Sequence, residues 1–174
     1  MTQLAQLFFN FDRFLGAASI GNGNINDTYR IDYQVEGVQK TALLQRLNHQ
    51  VFKQPEAVMN NTLRICQHLA KQDYPYQIAA PLPALDGDFL QKDKDGNYWR
   101  AFPFIENSFA PAGTSDLHIA YEAARAYGAF ARALLYTGST TEPTLSPGLP
   151  RSTRWDAPRC AKARHLPDHW GSPV

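Results

Sequence analysis

Two periodicities alternate along the chain. Tyr29, Ile31, Tyr33 and Val35 interleave with Arg30, Asp32, Gln34 and Glu36, and a strict period of two predicts a strand with one buried face. Glu36-Gly37 reads as a hairpin turn, and "KTALLQRL" over 40–47 as the next strand. After Pro55 the period lengthens. Pro55 suits a first helical turn and Glu56 favours the positive end of the helix dipole. Val58, Thr62, Ile65, Cys66 and Leu69 then share one face of a helix running to Gln72. Upstream, Leu4, Leu7, Phe8, Phe11 and Leu15 recur at helical spacing and predict a helix over 3–16.

The segment "PYQIAAPLPAL" is irregular, with prolines at 75, 81 and 83. The run "GDFLQKDKDGNYWRAFPFIE" predicts a second hairpin that turns at Lys94-Asp95-Gly96. The stretch "SDLHIAYEAARAYGAFARALL" predicts a long helix with Ser115 as its N-cap. Its apolar face holds Ile119, Ala123, Ala126, Tyr127, Phe130 and Leu134, with Gly128 tolerated inside. From Tyr136 onward no period survives, and prolines fall at 143, 147, 150, 158, 167 and 173. Arg151, Arg154, Arg159, Lys162 and Arg164 outnumber Asp156 and Asp168 there. A disordered tail fits that composition better than a nucleic-acid patch. The whole order is α+β with an antiparallel sheet.

The 174 residues suffice for one ordinary domain or two small lobes, and the formal charge of +1 draws the chain to neither nucleic acid nor an acidic surface. Any anion binding must be local. Cys66 and Cys160 build neither a disulfide framework nor a zinc set. Cys66 reads as a small buried hydrophobe. The N-terminus carries no basic segment ahead of an apolar run, and no apolar run approaches the ~20 residues of a membrane helix. The expected location is cytoplasmic, with no membrane contact.

The candidate chemistry centres on "GNGNIND", Gly21 to Asp27. A dinucleotide fingerprint needs a third glycine and a following helix, whereas Asn26 and a strand stand here. A Walker A loop needs Gly-Lys-Ser/Thr, which the stretch lacks. Two readings stay open. One is a plain glycine hairpin. The other is a glycine-rich flap between antiparallel strands, whose backbone N–H groups face nucleotide phosphates as in kinases. In that arrangement the following strand carries a phosphate-pairing cation and the next helix a carboxylate that holds it. Arg46 is the cation candidate, because a guanidinium stays charged and binds phosphate bidentately. Glu56 is its candidate tether and Asn60 a weaker one; a solvated edge arginine is the alternative. "AFPFIENS" then occupies the place of the hinge, with Phe104, Ile105 and Glu106 facing the base edge, or else it is a core strand running into a loop.

"GNGNINDTYRI", "LLQRLNHQVFKQPEAVMNN" and "WRAFPFIENS" resemble the N-terminal lobe of the aminoglycoside phosphotransferase and choline kinase-like superfamily, most of all its N-acetylhexosamine 1-kinase-like branch. The resemblance covers roughly residues 10–135. It implies a protein kinase-like N-lobe with its hinge over 1–107, the first helix of a C-lobe over 108–135, and an irregular tail over 136–174. It also implies ATP and magnesium as cofactors and a sugar hydroxyl as acceptor. Site roles follow by resemblance. Gly21, Asn22, Gly23, Asn24, Ile25 and Asn26 would contact phosphates, Arg46 would supply the cation, and the hinge would lie at Phe104 to Asn107.

The family's catalytic loop and later metal-binding aspartate have no counterpart here. His165, Asp168 and His169 in "RHLPDHW" do not reproduce them, so neither a catalytic residue nor a magnesium ligand is assigned. The expectation is a sugar-kinase fragment that is inactive alone, its tail shifted in reading frame and its catalytic lobe supplied, if at all, by a separate polypeptide. A non-catalytic nucleotide- or partner-binding module is the alternative. Apolar surface on the 115–135 helix is expected to be left exposed.

Overall fold

The computed structural model describes residues 1–21, 25–72, 74–108 and 113–135. Its contacts divide the chain into two units, Met1–Arg64 with Ala79–Gly113, and Ile65–Ile78 with Thr114–Val174. The first unit is built on one five-stranded antiparallel sheet, formed by β1 (Arg13–Ser19), β2 (Asp27–Val35), β3 (Val38–Leu47), β4 (Gln91–Lys92) and β5 (Tyr98–Pro103) in the spatial order β1-β2-β3-β5-β4. The α+β class with an antiparallel sheet is as the sequence predicts.

The period-two run becomes β2, and its hairpin to β3 closes with Val35 opposite Val38. Both turn residues have positive φ, Glu36 at 51° and Gly37 at 79°. That is the mirror-image turn whose twist matches paired strands. Glycine adopts it freely, whereas glutamate is held there by donating its N–H to Asp12 Oδ2 at 2.5 Å.

The predicted helix over 3–16 is shorter. Helix α1 spans Thr2–Phe8, and Arg13–Ser19 is strand β1 instead. The aromatic run from Phe8 to Phe14, broken by Asn10 and Asp12, is a poor helix former and a good strand former. Asp12 N–H already donates to Gln34 O at 2.9 Å, so the β2 ladder claims that backbone. Leu15 sits where the register slips between Phe14 and Gly16, and it is exposed rather than on a helix face.

One face of the sheet holds the core of this unit. Ile31, Tyr33, Ala42, Leu44, Trp99 and Ala101 pack with Leu4, Ala5 and Phe8 of α1 and with Ala84. Ile31 and Leu44 are fully buried, each worth about 1.5–3 kcal/mol of transfer free energy. The last carbonyls of α1 would otherwise be orphaned, and the N–H of Leu85 reaches back to Leu7 O at 2.9 Å.

Helix α2 (Pro55–Lys71) starts at the predicted proline. Its buried positions are Pro55, Met59, Leu63, Cys66 and Leu69. Val58, Thr62 and Ile65 are only half-buried, so the true stripe is rotated from the predicted one by about one residue.

In the second unit, α3 (Leu117–Leu135) follows the predicted helix, but Asp116 caps it rather than Ser115. Asp116 Oδ1 accepts the N–H of His118 at 2.8 Å and its carbonyl accepts that of Ala120 at 3.1 Å. No described residue of α3 is buried, and Leu117, Tyr121, Tyr127 and Leu135 are exposed. His68 Nε2 meets the carbonyl of Ala133 at 2.9 Å. No helix of the described residues is long and apolar enough to cross a membrane. The tail calls, with Cys160, His165, Asp168 and His169, lie outside the described residues.

Candidate functional site

The glycine stretch joins β1 to β2. Gly21 has φ +74°, a left-handed conformation that favours glycine. The loop is tied at both ends. Ile20 N–H donates to Thr28 O at 2.9 Å, and Asn26 Oδ1 accepts the N–H of Asn48 at 2.9 Å. Ile25 is exposed and Asn26 half-buried. Asn22, Gly23 and Asn24 lie outside the described residues.

Arg46 stands at the base of this loop, because β3 pairs it directly with Asp27. The tether expected from Glu56 is supplied by that aspartate. Arg46 Nε donates to Asp27 Oδ2 at 2.8 Å and Nη2 donates to the same oxygen. A cross-strand neighbour reaches the guanidinium without displacing any backbone, whereas Glu56 is an exposed residue on another element. Both partners of the Arg46–Asp27 pair are close to half exposed, so the pair contributes no more than about 1 kcal/mol to stability. Asp27, Arg46, Leu47, Asn48, His49, Gln50 and Asn97 line a shallow polar cavity of about 190 Å³. A drug-sized ligand needs roughly 300–1,000 Å³.

The opposite face of the sheet carries a different set. Thr28, Gln45 and Arg100 are in register across β2, β3 and β5. Gln45 Nε2 donates to Thr28 Oγ1 at 2.9 Å, and Gln45 Oε1 accepts from Arg100 Nε at 3.0 Å and Nη2 at 2.7 Å. Burial pushes the Arg100 guanidinium down from its ordinary value. It also lies over the Phe102 ring, 5.0 Å from the centroid. Next along β2, Arg30 pairs with Asp32 at 3.0 Å, Asp32 accepts Thr41 Oγ1 at 2.7 Å, and Arg30 covers the Phe104 ring at 5.1 Å.

Phe104 and Ile105 are half-buried and Glu106 is exposed, directly after β5. Asn107 turns the chain with φ 55°, and Ser108 Oγ donates to the Ile105 carbonyl at 2.6 Å.

The second hairpin contains a group that the sequence reading passed over. Asp93 accepts from the backbone N–H groups of Asp95 and Asn97, from Asn97 Nδ2, and from Trp99 Nε1 at 2.8 Å. Burial alone would raise its pKa. The bonds from Trp99 and Asn97, then from the backbone, outweigh that and bring it down to about 2. An aspartate three residues before the glycine of a turn, Asp93 ahead of Gly96, is the signal that could have found it.

No protein-family model matches the chain, and no curated protein matches it. Among solved structures it is similar to the crystal structure of spectinomycin phosphotransferase, APH(9)-Ia, in complex with ADP and spectinomycin. The TM-score is 0.43 and the identity 20%, over 66% of this chain and 30% of that one. The chain therefore spans less than a third of that structure's length. At these values the likeness assigns neither family nor activity.

Proposed function

We propose that the first unit is a nucleotide-binding lobe of the phosphotransferase kind. The loop from Gly21 to Asn26 covers the phosphates of ATP. Phe104, Ile105 and Glu106 present the hinge backbone to the base edge. Arg46 adds positive potential at the base of the loop. The parent activity is transfer of a phosphoryl group to a sugar hydroxyl, as in N-acetylhexosamine 1-kinase-like proteins. This chain alone binds without transferring, since its sequence offers no catalytic-base segment. Magnesium enters as the counter-ion of the nucleotide.

One observation carries this reading. The exit of the glycine loop, the end of β3 and the strand leading into Phe104–Glu106 are three neighbouring segments of one antiparallel sheet. A flap and a hinge thus share a rigid platform, which is what positioning a nucleotide requires.

The test is calorimetric titration of the chain with Mg-ATP beside Gly21→Val. A β-branched residue at φ +74° costs of order 1–3 kcal/mol of backbone strain and deforms the flap. Saturable binding that the variant weakens is expected; no heat at millimolar ATP overturns the reading. A partner-binding module is the second reading, favoured by the exposed Leu117, Tyr121, Tyr127 and Leu135 of α3. It predicts that same silence toward ATP.

A further inference from the structure

We propose that Arg100, presented with Thr28 and Gln45 on the sheet face opposite the core, is the cation that meets the nucleotide's phosphates. This deepens the nucleotide reading above and rests on it.

Charge compensation decides between the candidate cations. Arg46 already holds the carboxylate of Asp27, and Arg30 holds that of Asp32. Arg100 has only the neutral carbonyl oxygen of Gln45, and no described carboxylate lies within ion-pair distance of it. A half-buried guanidinium with no anion keeps most of its field, and an arriving phosphate gains more from it than from an ion pair that must first be broken.

Geometry points the same way. The strand faces are fixed by pairing, so Arg46 shares its face with Leu44, Trp99 and the α1 contacts, while Arg100 shares the other with Thr28. Thr28 is the second residue of β2, immediately beyond the loop. Thr28 and Arg100 are two strand spacings apart, about 10 Å. A chain of phosphates spans that distance. Phe102 and Phe104 lie on the same face, on the run from Arg100 toward the hinge, and offer aromatic surface to a base. Gln45 orients the guanidinium through both Nε and Nη2, which leaves its remaining N–H groups to bond an anion.

The test is titration of the full chain with Mg-ATP, read against three variants. Arg100→Met keeps the stem against Phe102 and removes the charge. Gln45→Glu leaves Arg100 in place and gives it a carboxylate. Arg46→Ala removes the competing cation. Arg100→Met and Gln45→Glu are each expected to weaken Mg-ATP by at least about tenfold, the cost of a lost charged hydrogen bond. Arg46→Ala, which removes only the positive potential at the base of the loop, is expected to weaken binding less than either of the other two. Circular dichroism checks that each variant folds. Gln45→Glu keeps the shape of the side chain, so it decides the matter if Arg100→Met does not fold. Wild-type binding with Gln45→Glu unchanged, or with Arg46→Ala the most damaging, overturns this proposal and leaves the nucleotide reading standing. No wild-type binding removes both.

Discussion

The two faces of the sheet solve opposite problems with the same strands. The covered face buries Ile31, Leu44, Ala42 and Ala101 almost completely under α1. Its polar demands are met at the rim, where Asp93 takes the indole N–H of Trp99. The other face buries Leu47 completely at the end of β3 but otherwise carries a lattice of polar side chains on half-buried positions. The contrast is clearest in two ions. Asp93 is an anion satisfied by neutral donors, with its pKa lowered. Arg100 is a cation satisfied by a neutral acceptor, with its pKa lowered by burial. For the acid the shift favours the charged form, so Asp93 is at rest. For the base burial disfavours the charged form, and no described carboxylate lies within ion-pair distance of Arg100. One face is finished by folding alone, and the other is the one proposed to receive the nucleotide.

The largest effect that could break this comparison is in packing. Leu44→Ala on the covered face should cost about 2–5 kcal/mol in urea denaturation. Leu43→Ala, one residue along and pointing the other way, should cost about 1 kcal/mol, since less apolar area leaves water. Equal losses would mean that both faces are cores.

A smaller effect sharpens the rim. Asp93 has a folded pKa of about 2, below the unfolded carboxylate value of about 3.9. A depressed pKa contributes stability that is present above the unfolded value and lost as pH falls toward the folded one. The melting temperature should therefore drop between pH 4 and pH 2, and Asp93→Asn should flatten that part of the profile. A variant with an unchanged acid limb would remove Asp93 from the account.

Much of the fold was legible because period two is hard to mistake. The alternation over 29–36, Glu36-Gly37 and the turn at 94–96 all became elements where the pattern put them. The helix over 3–16 failed because spacing is blind to backbone competition, and the β2 ladder took residues 13–19. The stripe of α2 was misplaced because Met59 and Leu63 stand beside the apolar residues chosen, and a single sequence does not say which flank turns inward.

The site was less legible for the same reason. Alternation shows that Arg46 and Gln45 point to opposite faces, but not which face α1 will cover. Asp27, which neutralises Arg46, stands in sequence as the last residue of the loop. Only the register made Thr28, Gln45 and Arg100 neighbours, across 72 positions of sequence from first to last.

The face that carries Gln45 and Arg100 is proposed to receive the nucleotide. Amide chemical-shift mapping of the full chain during a Mg-ADP titration tests it most directly. The account predicts the largest saturating shifts at Gly21, Thr28, Gln45, Arg100 and Ile105, with Arg100 Nε–H moving alongside. Shifts that centre on Arg46, Asn48 and His49, with Arg100 silent, would contradict it.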